Sequence, residues 1–166
     1  MWGLMIVSYL CIAISIILLA ITGLQGYFQF HLMQANHPTF ALFTAIFYMF
    51  TETLVMFYFI GSGTAIKKSI KMGGGEPGLY EKVKKTKMIL FPHLTMNMLL
   101  IGTVFILGGA VQTGSVPGWI HGLLFDLAFI HFLYVIVIQH RGFKENVEII
   151  GKIAIIEGTA ANNSPA

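Results

Sequence analysis

Four long apolar runs organise the chain, each about the length of a bilayer span of roughly 20 residues. They predict helices over residues 4–24, 40–62, 88–111 and 118–139. Polar connectors separate them, and the second is the longest and the only lysine-rich one. After residue 139 the period changes. Phe143, Val147, Ile150, Ile153 and Ala154 recur at helical spacing among Lys144, Glu145, Glu148 and Lys152. That pattern predicts an amphipathic surface helix over 143–157, lying on the membrane or against a partner. The fold class expected is therefore an all-α integral membrane protein, an antiparallel bundle of four transmembrane helices with a C-terminal amphipathic surface helix. Residues 1–157 form its single domain, and 158–166 are expected to be a disordered tail.

Composition agrees. Of the 166 residues, 56% are hydrophobic and only 10% charged, against about 25% in soluble domains. The net charge of +3 does not point to nucleic acid, because the basic residues flank apolar runs as topology signals do. Lys67, Lys68, Lys71, Lys82, Lys84, Lys85 and Lys87 surround the second connector, and Arg141, Lys144 and Lys152 follow the fourth span. The other two connectors carry no Lys or Arg. The positive-inside rule thus places both termini in the cytoplasm, with a bacterial inner membrane as the expected location. The first run lacks a basic n-region and is too long for a signal-peptide core, so it reads as a retained span. Asn36 is positioned to cap the second helix, with Pro38 in its first turn.

Ionisable groups inside spans are expensive and usually mark function. Converted to depth at about 1.5 Å per residue, they form three layers. His31, His37, His121 and Asp126 lie on the outer side. Glu52, His131 and Asn97 lie near the middle, and His93 and His140 on the inner side. His121 and His131 differ by roughly 15 Å in height, so they serve two levels rather than one site.

Three chemistries fit this set. Non-covalent haem b needs one or two imidazoles projecting into an apolar slot. The candidate ligands are His93 with His131, and His37 with His121, with Gly102, Gly108, Gly109, Gly122 and Ala128 lining the slot. The lysine connector or Arg141 would meet the propionates. On this reading the protein is cytochrome b-like and transfers electrons, with a quinone as redox partner, as one subunit of a respiratory-type complex. The architecture resembles the small membrane-anchor cytochromes of respiratory enzymes, by general layout rather than by a motif. A second chemistry is a non-haem iron, copper or zinc site, or a proton relay, built from His131, His93, Glu52 and Asp126. A third is a non-catalytic accessory subunit packed among other membrane subunits. The single cysteine, Cys11, excludes an intrachain disulfide, a thiolate cluster and a CxxCH haem attachment. Neither GSG at Gly61 nor GGGEPG at Gly73 has the setting of a phosphate loop. For these groups the plain alternative is interhelical hydrogen bonding, worth about 0.6–2 kcal/mol per bond.

Overall fold

The computed structural model describes residues 2–32, 34–73 and 75–162. It contains four helices: α1 (Trp2–Phe28), α2 (His37–Lys71), α3 (Pro77–Gln112) and α4 (Gly118–Asn162). All four are long and apolar enough to cross a membrane, which is consistent with an integral membrane protein. They pack as a four-helix bundle in which α1 touches α2 and α4, and α3 touches α2 and α4.

The helices exceed the expected spans. Alpha-2 continues beyond Ser62 through the glycines at 61 and 63 to Lys71. A Cβ at Gly63 would stand 3.3 Å from Val83 Cγ1 and 2.7 Å from Lys87 Nζ, so glycine there permits close approach of α3. Alpha-3 begins eleven residues before residue 88, at Pro77, where a missing amide proton costs nothing. The glycine-rich connector therefore shrinks to a turn, with Gly73 at φ +90°.

Alpha-4 departs most from expectation. The sequence predicts a span and then a separate surface helix, but one helix of 45 residues runs through both. Gly142 does not break it. A Cβ there would lie 2.9 Å from Phe59 Cζ and 3.2 Å from Thr86 Cγ2, so the glycine serves packing. Beyond it, Ile149 and Ile153 are buried with Ile66 of α2 and Val83 of α3. The apolar stripe thus packs on this chain's own helices, where Thr86 also bonds Glu145 and Ser69 bonds Glu157. The tail expected over 158–166 is corrected in its first part, because α4 includes residues 158–162. Residues 163–166 lie outside the described residues.

Polarity is distributed as lipid demands, with apolar side chains outward and polar groups paired inside. Ile6, Leu10, Ile17, Ile46, Phe57 and Ile130 are exposed. Ser15, Gln25, Thr51, Glu52, Asn97 and Gln139 are buried. Ser8 and Thr22 bond carbonyls of their own helix, at Leu4 and Leu18. Ser15 instead donates to Thr51 Oγ1 at 3.0 Å, and the Thr22 hydroxyl, its proton on the Leu18 carbonyl, accepts from Thr44 Oγ1 at 2.9 Å, so these hydroxyls join α1 to α2.

One end of the bundle holds both uncharged connectors. Gln25 ties the first one down, its Nε2 donating to the carbonyls of Phe30 and Ala35. The other end holds the lysines.

Candidate functional site

The uncharged end contains a cavity of about 1090 Å³, lined by all four helices. It is slightly larger than the range of roughly 300–1,000 Å³ common for ligand pockets. His37 and His121 both line it. His37 is the first residue of α2, fixed by the cap beside it. There Asn36 Oδ1 accepts from Thr39 N at 3.2 Å and from Thr39 Oγ1 at 2.8 Å. His121 sits in the first turn of α4.

The two rings approach edge to face, with centroids 6.1 Å apart and planes at 73°. Each leans on a glycine of the preceding helix. A Cβ at Gly26 would be 3.3 Å from His37 Cε1, and a Cβ at Gly108 would be 3.3 Å from His121 Cε1. One turn before each glycine a backbone carbonyl faces the ring, Thr22 for His37 and Val104 for His121. Each carbonyl is a backbone hydrogen-bond partner of its ring, although the bond to the buried Nδ1 falls short of regular geometry. The hairpins α1–α2 and α3–α4 thus present the same arrangement from opposite sides.

Two imidazoles facing one cavity are suited to binding a metal through nitrogen. A metal–imidazole bond is about 2.0 Å long. Two such bonds, plus the distance from each nitrogen to its ring centre, separate the centroids by roughly 6 Å. The observed gap is of that size.

Other candidates are arranged differently. His93 Nδ1 lies 3.4 Å from His131 Nε2. His131 Nδ1 is 2.6 Å from Asn97 Oδ1, and Asn97 Nδ2 donates to Tyr48 at 2.6 Å. These four side chains form one hydrogen-bonded chain, with the histidines in direct contact and no slot between them. Glu52 does not meet His131. It accepts from Gln139 Nε2 at 2.7 Å, eight residues further along α4, because helix offsets and side-chain reach override a depth count of a few ångströms. Asp126 accepts from Tyr27 at 2.7 Å on the cavity wall. His131, His93, Glu52 and Asp126 therefore occupy three separate places. Among the described residues, no group of three or more His, Cys, Asp or Glu side chains is placed to hold a metal ion.

Of the glycines expected to line a slot, Gly108, Gly109 and Gly122 line the cavity. Gly102 faces Met49, and Ala128 is buried in the core. Arg141 and the lysine connector stand at the opposite end of the bundle, and among the described residues no Lys or Arg lines the cavity. His31 lies on the cavity wall, and His140 bonds the Tyr9 hydroxyl at 2.9 Å.

Sequence reasoning missed Gly26, Tyr27, Tyr48 and Gln139. The signal for Gly26 is a similar order, a glycine near the end of one helix followed by a histidine at the start of the next, eleven residues on for Gly26 and His37 and thirteen for Gly108 and His121. Comparison with protein-family models, curated proteins and solved structures finds no match.

Proposed function

We propose that the protein binds haem b between His37 and His121 and transfers electrons within a membrane. The observation that carries this reading is the pair of imidazoles 6.1 Å apart on the wall of one cavity. Haem is favoured over a bare ion for two reasons. The cavity is far larger than an ion needs, and its wall is mostly apolar, with Leu19, Ile101, Val104, Phe105 and Phe125 among its residues. Among the described residues no third His, Cys, Asp or Glu is grouped with the two histidines, which would suit a haem held by two imidazoles. Propionates would find the N-terminal ends of α2 and α4 at this end of the bundle, which favour anions. They would not find the lysine connector or Arg141.

Within this reading the bundle is antiparallel and both termini are cytoplasmic, since all ten Lys and Arg gather at the lysine end. The membrane is a bacterial inner membrane, and the protein serves as a subunit of a respiratory-type complex. A quinone is the redox partner best suited to a site in a bundle open to lipid. His93 and His131 are not ligands, because they satisfy each other and Asn97.

An optical spectrum of the full-length protein, purified from haem-replete cells, tests this. The expected result is a Soret band and a reduced α band, both lost in His37→Ala and His121→Ala and kept in His93→Ala and His131→Ala. No haem band, or bands that survive both His37→Ala and His121→Ala, overturns it.

A further inference from the structure

Glu52 is fully buried on α2. No ion pair reaches it; among the described residues the one ion pair found is the exposed Lys84–Glu81. Its Oε2 accepts from Gln139 Nε2, while its Oε1 has no partner. Gln139 shows the complementary deficit. Its Nε2 is used and its Oε1 is buried and unpartnered.

A carboxylate with this environment would bury a full charge against one neutral donor, at a cost of several kcal/mol. Two buried acceptors would also remain unpaired, each at a cost of about 1–3 kcal/mol. A single proton removes all three penalties. Placed on Glu52 Oε1 and donated to Gln139 Oε1, it closes a cyclic acid–amide pair with two hydrogen bonds.

We infer that Glu52 is an intramembrane proton-binding site, its carboxyl holding one proton between itself and Gln139 and exchanging it with the cavity at the uncharged end. The surroundings give the direction of exchange. Toward the lysine end, the tilted rings of Phe59 and Phe143 pack at 5.1 Å between centroids, both fully buried, and stand before the next buried polar pair, Asn146 with Ser62. Toward the cavity, buried polar groups follow along the same face of α2. Thr51 pairs with Ser15 of α1, Tyr48 with Asn97 of α3, and Thr44 with Thr22, which lines the cavity. Tyr48, one turn from Glu52, is the titratable group that shares its environment. The partners contributed by α1, α3 and α4 are Ser15, Asn97 and Gln139, all uncharged. The inference does not depend on what occupies the cavity.

Infrared spectroscopy of the full-length protein in lipid vesicles reads the proton directly, because a protonated carboxyl has a carbonyl stretch that a carboxylate lacks. At neutral pH we expect one such band that is absent in Glu52→Gln and displaced in Gln139→Leu, where the acid loses its acceptor. Glu52→Gln should also keep the wild-type melting temperature, since an amide mimics the neutral acid. Tyr48→Phe and Thr44→Val should slow deuterium exchange of the band severalfold. Identical carboxyl regions in wild type and Glu52→Gln overturn the inference. Should Glu52→Gln fail to fold, a wild-type carboxyl region identical to that of Gln139→Leu does the same. Exchange unaffected by both Tyr48→Phe and Thr44→Val overturns the route.

Discussion

Gly26 and Gly108 matter for the atom they lack. Each leaves space for the Cε1 edge of a histidine from the next helix, and any larger side chain pushes that ring out of place. Gly26→Leu and Gly108→Leu are each expected to lower haem content at least severalfold, read as absorbance per protein, while helical circular dichroism is kept. Asn97 has the opposite character, since its side chain is used at both ends. Asn97→Leu strands the Tyr48 hydroxyl and His131 Nδ1, with an expected cost of about 1–3 kcal/mol in detergent-based unfolding. Which polar groups the bundle brings together was partly legible in the sequence, because ionisable groups stand out in an apolar run. Asn97 and His131 could be brought near one another by depth alone, whereas His93 fell in the layer below. Glu52 could not be matched to Gln139, because a glutamine gives no warning in a sequence and a depth count is blind to side-chain reach.

At the scale of elements, the four helices were legible from hydrophobic length, and the Asn36 cap with Pro38 from local chemistry. Helix ends were not. Glycine, proline and charge are read as breaks, yet in this bundle Gly63 and Gly142 sit where neighbouring helices come closest. A glycine that admits a neighbour and a glycine that ends a helix look alike until the neighbour is known. Gly142→Leu should therefore overpack against Phe59 and Thr86, destabilising the protein by about 1–3 kcal/mol. Thermal unfolding checks this against Gly151→Ala, where nothing stands within 4 Å.

For the whole molecule, sidedness follows from where the charge gathers. Cys11 is buried and is the chain's one cysteine, so a Cys11→Ser background makes single-cysteine labelling clean. In intact cells a membrane-impermeant maleimide is expected to label Ser115→Cys and to spare Glu76→Cys until the membrane is opened. The reverse pattern would invert the topology.

The unbroken course of α4 has a mechanical consequence. His121 near one end and Glu157 near the other belong to a single rod, about 54 Å apart along its axis. A tilt of about one degree around either end moves the opposite end by about 1 Å. Alpha-2 is a second such rod, carrying His37 at one end and Ser69 near the other, and the Ser69–Glu157 contact joins the two rods at their far ends. Were the two helices to tilt as rods, a shift at the lysine end would change the spacing of the two imidazoles at the other.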